Sequence, residues 1–129
     1  QSVYAFEART GDQLWRFRTA TPLLGAPVFY EGVVYVDIPG SGFTALDAES
    51  GRPAWANPAI KGRVIGVLKG RLIVWDSAGG DVAVLDRKDG SVFERTRLEG
   101  VETLTADGLV DPVLYIGTTS GMLERLSPR

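Results

Sequence analysis

The side chains able to do acid–base or metal chemistry in this chain are carboxylates and little else: 129 residues carry sixteen Asp and Glu, no histidine and no cysteine. Without histidine there is no Ser-His-Asp triad, no imidazole ligand and no base poised near neutral pH. Without cysteine, disulfides, thiolate metal sites and a cysteine nucleophile are excluded. Three carboxylates, Glu7, Asp47 and Asp86, each stand four residues before a glycine, Gly11, Gly51 and Gly90, and an aromatic follows each glycine: Trp15, Trp55 and Phe93. A carboxylate so placed can serve as a base, bind a cation, or accept backbone N–H groups and hold a turn. The stretch Asp86-Arg87-Lys88-Asp89-Gly90 has an oxygen-rich look, yet it lacks the alternating ligands and distal bidentate glutamate of a calcium loop and has a lysine in third place.

The recurrence decides among these uses. The three glycines lie 40 and 39 residues apart, a period that marks stacked supersecondary units. A residue repeated at one place in every unit is expected to build the unit. Glu7, Asp47 and Asp86 are therefore expected to close turns, and Trp15, Trp55 and Phe93 to pack between neighbouring units.

A second marker runs in step. Glu31-Gly32, Lys69-Gly70 and Asp107-Gly108 are spaced by 38 residues, each interrupting an apolar, β-branched stretch. A polar residue and a glycine between such stretches predict a tight hairpin, because glycine accepts the positive φ of a type I′ turn. For the second unit the strands are expected near 27–30, 33–37, 43–47 and 53–56. Val, Ile, Tyr and Phe dominate these runs and no window keeps a helical period. Four short antiparallel strands per roughly 40 residues make one blade of an all-β propeller.

These residues resemble the pyrroloquinoline-quinone-type (PQQ-like) β-propeller repeat family. Its pattern of an extended strand, a polar loop, a glycine, Leu-Tyr-Ala-Leu-Asp-Ala, Thr-Gly and Trp is matched by Val34-Tyr35-Val36-Asp37, Gly42-Phe43-Thr44-Ala45-Leu46-Asp47-Ala48, Gly51 and Trp55. Val3-Tyr4-Ala5-Phe6-Glu7-Ala8 with Thr10-Gly11 and Trp15 matches from the third strand onward, and Leu114-Tyr115-Ile116-Gly117-Thr118 with Gly121-Met122-Leu123 gives a last copy. The resemblance covers nearly the whole chain.

Counting against that pattern assigns residues 1–18 to the end of one blade, 19–57 and 58–96 to full blades, and 97–129 to a partial blade, about thirteen strands. A closed propeller has about four to eight blades, and open blade faces expose apolar surface and strand edges. The chain is thus expected to be a piece of a longer propeller, or to be completed by further copies of itself. The absence of an initiator Met and the start within a strand favour a processed or excised piece. No run of eighteen apolar residues is present to span a membrane.

A net charge of −2 with mixed signs argues against nucleic acid, which demands a basic face. Arg16, Arg18, Arg95 and Arg97 read as a solvated strand edge.

Departures from the repeat are the better functional candidates, since the fold does not demand them. Asp37 and Asp76 stand where the family commonly has glycine after its second strand, and Trp75 replaces a smaller residue. Asp37, Trp75 and Asp76 are expected to form an interaction rim beside the loops 38–42 and 77–81. No catalytic, cofactor-binding or metal-ligating residue is expected.

The family includes quinoprotein alcohol dehydrogenases, a propeller lipoprotein of the outer-membrane β-barrel assembly machinery, and extracytoplasmic sensor domains. The resemblance therefore implies a periplasmic or extracytoplasmic location. The expected role is a non-catalytic scaffold for a protein partner. A quinone- or ligand-sensing ectodomain, or a fragment of a quinoprotein dehydrogenase, is the alternative.

Overall fold

β-branched and aromatic residues alternate with turn residues along the whole chain, and the elements that result are strands. The computed structural model describes residues 2–19, 22–23, 25–118 and, for the course of the last strand, 123–126. Gly121 and Met122 of the last repeat copy lie outside the described residues. The chain divides into two compact units, residues 1–63 and 64–129.

The first unit opens with β1 (Ser2–Phe6) and β2 (Gln13–Arg18), an antiparallel pair. It continues with β3 (Val28–Tyr30), β4 (Val33–Ile38), β5 (Gly42–Asp47) and β6 (Pro53–Asn57), a four-stranded sheet in sequence order. β3 and β4 are joined by Glu31 and Gly32, with φ of 44° and 78°, the left-handed pair that a type I′ turn requires. Period-2 alternation in the β1–β2 pair sends Val3, Ala5, Trp15 and Phe17 to one face, where they pack with Val34, Val36, Ile38 and Leu46 of the four-stranded sheet.

From its boundary at Arg63 onward, the second unit holds β7 (Arg63–Leu68), β8 (Arg71–Asp76), β9 (Asp81–Asp86) and β10 (Val92–Arg97), again four strands in sequence order. It ends with β11 (Val101–Ala106), β12 (Leu114–Thr118) and β13 (Leu123–Leu126). Lys69 and Gly70 repeat the left-handed hairpin of the first unit, with φ of 51° and 75°. Ile65, Ile73 and Trp75 of one sheet pack with Leu104 and Ile116 of the other.

The third expected hairpin, at Asp107-Gly108, does not form. Residues 107–113 leave the ladder as a longer loop closed at its base, where Asp107 donates its N–H to the Val113 carbonyl (3.2 Å) and accepts the Val113 N–H on its carboxylate (2.9 Å). Pro112 has no N–H to offer a returning strand, so a tight turn at Gly108 would leave the ladder broken four residues on. The loop instead crosses to β7: Val67 donates its N–H to Leu109 O (2.6 Å) and accepts the Asp111 N–H (2.9 Å), forming a parallel bridge opposite Val110. Pro112 is fully buried at the base of this strap.

Candidate interaction rim

The repeating carboxylate stands where the backbone must reverse: Glu7 follows β1, and Asp47 and Asp86 end β5 and β9. Gly11, Gly51 and Gly90 donate their N–H to the carbonyls of Glu7, Asp47 and Asp86 at 2.8, 2.8 and 2.9 Å. The side chains fold over the same turns. Asp47 Oδ1 accepts the N–H groups of Glu49 and Ser50 at 2.9 and 3.0 Å, Asp86 Oδ1 that of Lys88 at 2.8 Å, and Glu7 Oε1 that of Arg9 at 3.4 Å. The N–H groups of Ser50 and Glu49 hold the exposed Asp47 carboxyl below its usual range, and the Ser91 N–H does the same for Asp89. Donated hydrogen bonds favour the charged form. Each of these carboxylates accepts N–H groups of its own turn.

The aromatic that follows the first turn locks one sheet to the next. Trp15 is buried, its indole N–H donates to the Ala48 carbonyl at 2.7 Å, and its ring covers Gly51 so closely that a Cβ there would stand 2.5 Å from the ring. Trp55 is half-buried and meets Tyr35 and Phe43 of its own sheet at 6.1 and 6.0 Å between centroids.

Phe93 departs from the expected series. Trp15 stands opposite Ala5 and Trp55 opposite Ala45, and the residue opposite the corresponding Val84 is Glu94. Phe93 is the unpaired residue of the bulge between Val92 and Glu94, the place of Leu14 and Ala54 in the earlier sheets. It is 60% exposed, with the Arg71 guanidinium 3.5 Å from its ring centroid. A bulge admits one extra residue without a partner, so an aromatic one position early loses the register slot.

The rim residues separate in the same way. Tyr35 lies opposite Ala45 and Ile73 opposite Val84, which makes Trp75 the counterpart of Asp37 and Asp76 the counterpart of Ile38. With a side-chain period of two, Asp37 and Asp76 project to opposite faces of their respective sheets. They also belong to different compact units.

Asp37 Oδ2 accepts the Gly62 N–H at 2.9 Å, tying the end of β4 to the segment after β6. Asp76 Oδ1 accepts the N–H groups of Ala78 and Gly79 at 3.1 and 3.2 Å, and its carbonyl accepts that of Gly80 at 2.8 Å. Opposite it, Asp81 pairs with Arg95 at 3.2 Å. Trp75, expected at the rim, is 5% exposed and packs among Ile65, Ile73, Leu104 and Ile116. What these loops present to solvent is small: Gly40 and Ser41 after β4, Ser77 and Ala78 after β8.

Sequence reasoning missed two features. One is the strap over β7, whose signal was Pro112 shortly after Asp107-Gly108. The other is the exposed aromatic face of the β1–β2 pair, where Tyr4 and Phe6 stack at 5.8 Å and Arg16 lies 5.3 Å from the Tyr4 centroid. Alternation of Tyr4 and Phe6 with Val3 and Ala5 announced that face.

Set against known proteins, residues 1–125 match a family model described as outer membrane protein assembly factor BamB. The outer membrane protein assembly factor BamB of Burkholderia pseudomallei (strain K96243) is 32% identical over 88 residues, which are 67% of this chain and 23% of that protein. The crystal structure of BamB from Moraxella catarrhalis superposes with a TM-score of 0.72 at 24% identity, covering 98% of this chain and 40% of that one. The quinohemoprotein alcohol dehydrogenase of Comamonas testosteroni is similar in fold, with a TM-score of 0.56 at 21% identity over 74% of this chain and 18% of that one. The chain thus spans well under half the length of these relatives.

Proposed function

The chain belongs to the PQQ-like propeller repeat family described as outer membrane protein assembly factor BamB, and from that premise we propose that it is a non-catalytic propeller scaffold that binds a protein partner outside the cytoplasm, in outer-membrane protein assembly. No helix among the described residues is long and apolar enough to cross a membrane.

The observation that carries the reading is the use made of the carboxylates. Asp37, Asp47, Asp76 and Asp86 each accept backbone N–H groups at 2.8–3.2 Å. Asp47, Asp76 and Asp86 fix the shape of their turns, and rigid loops of small residues offer a preorganised surface to another protein, which lowers the ordering cost of binding. Asp76 is therefore the positioning residue of the loop 77–80, while Asp37 ties the end of β4 to Gly62. The contacting groups are those of the loop 77–80 of the second unit.

The test is binding of the purified chain to the purified outer-membrane assembly proteins of its source, measured by interferometry. The paired substitution Ser77→Arg and Ala78→Arg is expected to weaken binding at least about tenfold with thermal unfolding unchanged. Unchanged binding would remove the rim assignment. Saturable uptake of pyrroloquinoline quinone in the presence of calcium would favour the quinoprotein alternative over the scaffold.

A further inference from the structure

One sheet of the chain shows how an extended segment docks on the first strand of a four-stranded sheet, and among the described residues the matching place on the other four-stranded sheet is open. In a two-residue hairpin the residues flanking the turn form a hydrogen-bonded pair, so the next residue outward turns its N–H and C=O to the free edge of the strand. Val67, two residues before Lys69, is such a residue. Both its outward groups are taken by the strap, from Leu109 O at 2.6 Å and Asp111 N–H at 2.9 Å, in parallel orientation.

Phe29 stands at the same count before Glu31 in a hairpin of the same left-handed geometry, and β3 is the end strand of its sheet. Its side chain is 62% exposed. Among the described residues nothing pairs with its outward edge. Where Val67 is covered by a Leu-Val-Asp-Pro segment, Phe29 offers the same two backbone groups and a larger apolar surface beside them.

We propose that the free edge of β3 at Phe29 is a strand-addition site for an extended segment of a partner polypeptide, lying parallel to β3 with a β-branched or aliphatic residue opposite Phe29. Main-chain hydrogen bonds supply affinity in this mode, and the alternating side chains supply selectivity. The geometry admits a segment that reads like the strap: an apolar residue whose neighbours on either side keep a free carbonyl and a free N–H. The site lies on another strand from the rim loops, and neither assignment depends on the other.

The probe is a capped peptide of this chain's own strap sequence, Gly-Leu-Val-Asp-Pro-Val, titrated at millimolar concentration into the full 129-residue chain, with amide exchange followed by NMR. The expected result is slowing of the Phe29 amide by about tenfold or more, with the Val67 amide unchanged. A peptide N-methylated at its Asp, which cannot donate to the Phe29 carbonyl, is expected to lose that effect. The Phe29→Pro variant, tolerable at an edge, is expected to lose peptide binding. Protection at Val67 in place of Phe29, protection by the N-methylated peptide, or no change at Phe29 would each overturn the proposal. If Phe29→Pro fails to fold, the N-methylated peptide decides alone.

Discussion

Gly66 lies directly under Pro112: a Cβ on Gly66 would stand 2.5 Å from the proline Cγ. This contact seats the strap, because it lets Pro112 close over β7 while Leu109 and Asp111 bond to the neighbouring Val67. Gly66→Ala is expected to lift the strap and cost about 1–3 kcal/mol, the range for overpacking a filled site. Hydrogen exchange at Val67 and Asp111 should accelerate. Unaltered exchange at both amides would show that the strap is held by something other than this contact.

The Trp15 lock offers the sharpest stability test. Trp15→Ala should cost about 3–5 kcal/mol, the range for emptying a buried aromatic site. Trp15→Phe keeps most of the ring and loses the indole hydrogen bond to Ala48, worth about 1 kcal/mol. Urea unfolding of the three proteins should therefore rank them in that order.

Phe93 should behave differently in spite of its similar place in the sequence. It is exposed and held by Arg71, so Phe93→Ala should cost no more than about 1 kcal/mol, the scale of an exposed cation–π pair. A loss as large as that of Trp15→Ala would mean that Phe93 and not Glu94 fills the lock position.

Acid should loosen the turns in a defined direction. Asp47 and Asp89 have pKa values lowered from 3.8 by N–H groups of Ser50, Glu49 and Ser91. A depressed carboxyl contributes stability that is present above its unfolded pKa and lost as pH falls through its folded pKa. Asp47→Asn should therefore remove part of the stability near pH 7 and flatten the decline below the ordinary carboxylate range. Parallel stability curves for the two proteins between pH 7 and 2 would count against this origin.

Trp75 tests whether the loop 77–80 depends on the core packing of β8. Trp75→Ala is expected to destabilise by about 3–5 kcal/mol and to raise amide exchange at Ala78 and Gly79, whereas Asp76→Asn should raise that exchange with a smaller loss of stability. Equal effects on both readouts would show that the carboxylate and the indole act as one unit.

Much of this molecule was legible without coordinates. The acid-to-glycine turn, the Glu31-Gly32 and Lys69-Gly70 hairpins and the strand pattern are local: they follow from which residues accept positive φ and which line a pleated face. The blade expected from them is the four-stranded sheet that forms, and the chain is all-β, with a fold similar to that of solved propellers. The rim was less legible. Asp37 and Asp76 look equivalent by their distance from the following strand, but the register of each hairpin displaces one against the other by a residue, and a one-residue displacement exchanges the faces of a strand.

The sequence by itself determined the repeat, the turns and the absence of histidine and cysteine chemistry, because these depend on residue type and short-range backbone preference. Tertiary structure alone decided that Trp75 is buried, that Glu94 holds the place meant for an aromatic, and that residues 107–113 reach across to β7 while, among the described residues, nothing pairs with the outer edge of β3 at Phe29. Each of those outcomes depends on register and on contact between strands far apart in sequence, and local propensity carries no information about either.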